Sequence, residues 1–183
     1  MSMRVIAVCV GVVGFAYFWG SALDHKEWPG HADPSYYYTV ATNVAQGRGL
    51  VVDYVWHFLW PHRELTHPSN DYWMPLPSLA MGGVMGMAGL GFRVAQVVPC
   101  CFASVLCVLA CIASYRATGS RACAVLAALF LGTNPAVIGM AISTTSGAFY
   151  ALFAVSSIIA VCRGRGGAAG GWHTPRPPDA WRP

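Results

Sequence analysis

Apolar and polar positions alternate along this chain in long blocks rather than at short helical or strand spacing. Arg4 is followed by "VIAVCVGVVGFAYFWGSAL", uncharged until Asp24. A helix needs about 20 apolar residues to cross a bilayer. The run is long for the core of a signal peptide, and the small residues before Asp24 make a poor cleavage site. Residues 1–20 are therefore expected to form a retained first transmembrane helix. A second block, "VAQVVPCCFASVLCVLACIASY" at 94–115, has no charge and carries Pro99 near its start, where a kink is tolerated. After "RATGSR", 41 uncharged residues run from 122 to 162. That length suits two helices, one at about 122–142 and one at about 147–162. Gly132, Asn134, Pro135 and the polar "STTSG" at 143–147 mark irregularities within it.

Residues 74–92, "MPLPSLAMGGVMGMAGLGF", are apolar but short and rich in glycine. A full span here would put the later arginine pairs on the wrong side. The segment is expected to be a helix lying at, or dipping into, the outer interface. Gly82 and Gly86 offer a small-xxx-small contact. The predicted fold class is an all-α integral membrane protein with about four transmembrane helices and a large extracytoplasmic first loop carrying interfacial helices. The loop is 21–92, three further spans occupy 93–162, and 163–183 form a tail.

Composition strengthens this picture. Hydrophobic residues make up 56% and charged residues 10%, against about a quarter charged in soluble domains. Six of the seven acids lie between residues 24 and 71, which has a net charge of −3, and the rest of the chain is +7. Cytoplasmic flanks of membrane helices carry excess Lys and Arg. Arg4, Arg116 with Arg121, and Arg163 with Arg165 are thus expected on the cytoplasmic side. That puts the amino terminus inside and the acidic loop outside a bacterial-type plasma membrane. The arginines flank spans rather than forming a basic face, which argues against nucleic acid. Seven cysteines lie in or beside apolar runs and none in the loop, so no disulfide framework holds the loop. The tail "RGRGGAAGGWHTPRPPDAWRP" has no apolar core and is expected to be disordered. Its bias resembles out-of-frame translation of a GC-rich gene, so a truncated or frameshifted chain is expected.

The polar loop holds the chemistry. Asp33 precedes a tyrosine triplet, Tyr36 to Tyr38, and "YYYTVATNVAQGRGL" predicts a short helix ended by Gly47 and Gly49. Trp28, Trp56, Trp60 and Trp73 punctuate the loop. Such aromatic density suits a membrane interface and also the stacking of sugar rings. A carboxylate there can serve as a base or a metal ligand. Asp24, Glu27 and Glu64 read as solvated. His25, His31, His57, His62 and His67, with Asp53 and Asp71, leave metal capture open as an alternative, although the five-residue spacing of the last three histidines does not match one helix face. No phosphate loop, nucleophile elbow or zinc-protease motif is present.

The order of "HADPSYYYTVATNVAQGRGL", "HPSNDYWMPL", "FRVAQ" and "NPAVIGMAISTTSGAFYALF" resembles the amino-terminal part of GT-C glycosyltransferases of the protein mannosyltransferase and arabinosyltransferase type. The resemblance covers roughly residues 1–162. It implies a sugar donor on a polyprenyl phosphate, an extracytoplasmic acceptor glycan or protein, and Asp33 as catalytic base. Implied substrate contacts are Tyr36, Tyr37, Arg48, Asp71, Tyr72 and Trp73. Arg48, Arg63, Arg93 or a divalent metal would neutralise the leaving phosphate. Two departures matter. Ser146 stands where many relatives place a second acid, and four spans are fewer than the family uses. An incomplete, inactive transferase is therefore expected, with a non-catalytic or metal-binding membrane protein as the alternative.

Overall fold

The computed structural model describes residues 1–30, 32–54, 64–69 and 73–168, with 163–168 as backbone only. The order is α1 (Met3–His25), α2 (Asp33–Ala45), β1 (Val51–Val52), β2 (His67–Pro68), α3 (Pro75–Ala88), α4 (Phe92–Thr118), α5 (Arg121–Gly132), α6 (Pro135–Ile142) and α7 (Gly147–Ala168). The described residues are mostly helical, as expected. The exception is a two-residue antiparallel pair, Val51 opposite Pro68 and Val52 opposite His67, which periodicity could not reveal at that length.

Two helices, α1 and α4, are long and apolar enough to cross a membrane, and there are three if the bent pair α5–α6 counts as one. The bend is 63° and replaces the continuous helix expected over about 122–142. Its cause is local. Pro135, the first residue of α6, has no N–H to donate to the preceding turn, so the ladder of α5 cannot run through it. Asn134 restarts the helix by accepting from the Ala136 amide through Oδ1 at 2.9 Å. The apolar part of α7, Gly147–Cys162, falls short of a full span by length.

Helix α4 is the central element, in contact with α1, α3, α5, α6 and α7. Its buried face is mostly small residues, Ala95, Cys100, Ala103, Ser104, Cys107 and Cys111, with Gln96, Val98, Pro99 and Leu106 among them. Phe18 and Ala22 of α1 pack near Cys100 and Ala103, whereas Ile6 packs near Cys111. The two helices are therefore antiparallel. Close approach through small side chains is how helices associate where lipid removes the usual hydrophobic drive. Valines 5, 8, 12 and 13 of α1 remain exposed, which suits lipid better than water. Of the cysteines, three are buried in α4 and the other four exposed, and all are free.

Polar groups in α4 close the ends of its neighbours. The last carbonyls of a helix have no partner within it. Arg93 donates to the carbonyls of Ala22 at 2.7 Å and Leu23 at 3.3 Å, at the end of α1. Gln96, fully buried, donates to the carbonyl of Ile142 at 2.8 Å, at the end of α6. The end of α1, the start of α4 and the end of α6 thus meet at one level. Arg4, Arg116 and Arg121 lie at the opposite ends of their helices.

Candidate functional site

Asp33 is the first residue of α2, and a negative side chain there is favoured by the helix dipole. The residue before it, Ala32, holds φ 60° and ψ −132°. It is the sole non-glycine with positive φ among the described residues, a conformation that costs on the order of 1–3 kcal/mol and persists only when its surroundings enforce it. A long-range contact lies two residues further on. Buried Thr144, in the turn between α6 and α7, donates to the Pro34 carbonyl at 2.8 Å. The Tyr37 hydroxyl lies beside the Ser146 side chain of the same turn and the Met74 backbone, although neither meets it in full hydrogen-bond geometry. Burial raises the Tyr37 pKa above its ordinary value; Ser146 opposes the shift and the nearby Asp33 charge adds to it. The short "STTSG" turn and Asp33, more than a hundred residues apart in sequence, therefore share one corner.

Aromatic packing surrounds this corner. Tyr36 and Tyr37 stand edge to face at 5.7 Å, and Trp73 reaches both rings, at 5.9 and 6.0 Å. Tyr36 is 3% exposed and Tyr37 1%. Their rings are spent on packing and present no open face for a sugar, whereas Trp73 is only half-buried. Ser78 of α3 donates to the Tyr37 carbonyl at 3.2 Å, which ties α3 to the same turn of α2. Next to this core the Tyr54 pKa is pushed up to about 12 by burial, with Tyr36 adding and the Thr39 hydroxyl opposing.

Arg48 lies at the other end of α2, about 20 Å from Asp33 along a 13-residue helix. There it pairs with Asp53 at 2.8 Å and donates to the side-chain carbonyl of Asn43 and to Gln46. Buried Asn43 in turn donates to the Val51 carbonyl at 2.8 Å. Thr66 donates to Asp53 at 3.0 Å. The Thr66 hydroxyl, ahead of Arg48 and Asn43, holds the Asp53 carboxyl below the usual range. Asn43 and Arg48 thus fasten the loop after α2 to the helix. Gly47 and Gly49, at φ 77° and 80°, make the turn that allows it.

No family model, curated protein or solved structure matches this chain.

Of the residues singled out in the sequence, the structure groups Asp33, Tyr36, Tyr37 and Trp73 and separates Arg48 from them. Arg93 is at the Asp33 end, but its guanidinium is engaged by α1. Arg63, Asp71, Tyr72, His31, His57 and His62 lie outside the described residues. His25 and His67 contact the carbonyls of Ser21 and Leu65. Among the described residues no three His, Cys, Asp or Glu side chains come together to hold a metal. Sequence reasoning missed Thr144, Gln96 and Asn43. Their signal was a polar side chain inside or beside an otherwise apolar stretch, which marks a buried hydrogen bond.

Proposed function

We propose that this chain is a multi-pass membrane protein of the GT-C glycosyltransferase type, with Asp33 at the outer face of a bacterial-type plasma membrane. In this reading α1, α4, the bent pair α5–α6 and the whole 22 residues of α7, rather than its apolar part alone, make four passes. Arg4, Arg116 and Arg121 then lie at the cytoplasmic face, following the positive-inside rule. The observation that carries it is the meeting of Asp33 with the α6–α7 turn, through the Thr144–Pro34 hydrogen bond, at the helix ends away from those arginines.

The chemistry is transfer of a sugar from a polyprenyl phosphate to an acceptor hydroxyl on a glycan or protein. The Asp33 carboxylate takes the hydroxyl proton as the oxygen attacks the anomeric carbon. The bond from that carbon to the phosphate oxygen breaks, and polyprenyl phosphate leaves with its charge. The described residues bring no three His, Cys, Asp or Glu side chains together for a divalent ion.

The test uses the full chain in vesicles of phosphatidylcholine and phosphatidylglycerol, with radiolabelled polyprenyl-phosphate mannose and polyprenyl-phosphate arabinose as donors. Saturable binding of a donor by the wild type supports the reading, and any transfer that falls by about a hundredfold or more in Asp33→Asn supports the role of the base. Equal transfer by wild type and variant removes that role. No turnover and no saturable binding of either donor by the wild type removes the reading as a whole.

A further inference from the structure

We propose that the outer face of α3 is a lipid-docking surface that seats the α2–α3 pair on the bilayer. The inference does not depend on glycosyl transfer. One face of α3 is already occupied: Pro77, Ser78, Met81, Gly82 and Met85 are buried. Gly82 presses against α2 so closely that a Cβ there would lie 2.7 Å from Val44 and 2.8 Å from the Ala41 carbonyl oxygen. The opposite face carries Leu76, Leu79, Gly83 and Met87, spaced by three, four and four residues into one stripe. Leu76 and Leu79 are each 43% exposed and Met87 is 84% exposed. No charged residue occurs from Pro75 to Phe92. A helix face bathed in water carries polar or charged side chains, and the exposed residues just after α2, Gln46 and Arg48, are polar or charged.

Continuity with a membrane helix identifies the occupant. The apolar stripe runs through exposed Leu90 into Phe92, the first residue of α4, one of the two helices long and apolar enough to cross. At 14 residues α3 is about 21 Å long, too short for a core of about 30 Å. It therefore lies along the boundary rather than through it, with α2 covering its inner side and acyl chains its outer side. An interfacial helix ordinarily supplies its own polar face; here α2 replaces that face. Because Ser78 of α3 bonds to the Tyr37 carbonyl, this seat also fixes the height of Asp33 above the bilayer.

The experiment places the photoreactive residue benzoylphenylalanine singly at Leu79, Met87, Gln46 or Phe130 in the full chain. The chain is reconstituted in vesicles of phosphatidylcholine and phosphatidylglycerol, irradiated, and its adducts are read by mass spectrometry. Phe130, 78% exposed on α5, is the control for lipid contact. Lipid adducts at Leu79, Met87 and Phe130, with none at Gln46, support the proposal. Protein–protein adducts at Leu79 and Met87 overturn it in favour of a second copy or another subunit. Labelling at Phe130 without labelling at Leu79 and Met87, lipid adducts at Gln46 equal to those at Leu79, or no lipid adducts at any position would each overturn it.

Discussion

The two ends of α2 solve opposite problems. At its start, Asp33 sits in a corner of buried rings and hydroxyls, behind a strained Ala32, held by a contact from the far side of the sequence. At its finish, Arg48 and Asp53 form a pair at the surface, with side chains 48% and 32% exposed. The first end is fixed by packing and buried hydrogen bonds, the second by exposed charge. Surface pairs contribute little because water screens them, whereas a buried polar group left without its partner is costly. The charge that is most conspicuous in the sequence thus does modest structural duty, and the quieter Thr144 hydroxyl holds the backbone beside the carboxylate that the proposed chemistry needs.

Four substitutions, ranked by expected effect on thermal unfolding in detergent, sharpen that contrast. Gly82→Leu acts on the helix pair that carries both ends. Its new side chain meets the α2 backbone as well as Val44, so a loss of about 3 kcal/mol is expected from overpacking. Thr144→Val removes the donor to the Pro34 carbonyl and should cost about 2 kcal/mol. Ala32→Gly should raise stability by about 1 kcal/mol, because glycine adopts positive φ without strain. Arg48→Met should cost less than about 1 kcal/mol and lose its effect at high salt. A larger loss from Arg48→Met than from Thr144→Val would reverse the comparison.

Titration gives the smallest effect. The Asp53 carboxyl has its pKa lowered by Thr66 and then Arg48. Its contribution to stability is therefore present above the ordinary value of 3.8 and fades as the pH falls through the lower folded value. Asp53→Asn should remove that acid-side dependence while leaving the basic side unchanged. On the basic side, Tyr54 has its pKa raised to about 12. The stability linked to its neutral form is held below its ordinary value of 10.0 and lost as the pH climbs toward 12. Tyr54→Phe should lower the tyrosinate signal that develops at the highest pH in an absorbance titration by one residue's share, leaving that of Tyr37, whose pKa is also raised.

Much of the fold was legible because lipid-scale apolar runs are a long, redundant signal. The positions of α1 and α4 follow the uncharged blocks, although both helices run a few residues past them, to His25 and Thr118, and Gly47 marks the end of α2. Gly82 and Gly86 were visible as a packing motif, although only the folded arrangement gives Gly82 its partners on α2. The 63° bend was visible as Asn134 and Pro135 but not as an angle, since that depends on how α6 packs against α1 and α4. For the site, Asp33 stood out as an acid beside aromatics. The separation of Arg48 from it did not, because a distance along a helix cannot be weighed until the helix is placed. Nor could the burial of Tyr36 and Tyr37, or the Thr144–Pro34 contact across 110 residues; local spacing says nothing about such pairs.

The central claim is that the acidic corner and the arginine-flanked helix ends lie on opposite sides of a membrane. With the seven native cysteines replaced, single thiols at Glu27 and Thr118, both exposed, can be offered a membrane-impermeant maleimide on intact cells. The Glu27 position should label at once and the Thr118 position only after permeabilisation. Equal labelling of both before permeabilisation, or labelling of Thr118 alone, would contradict it.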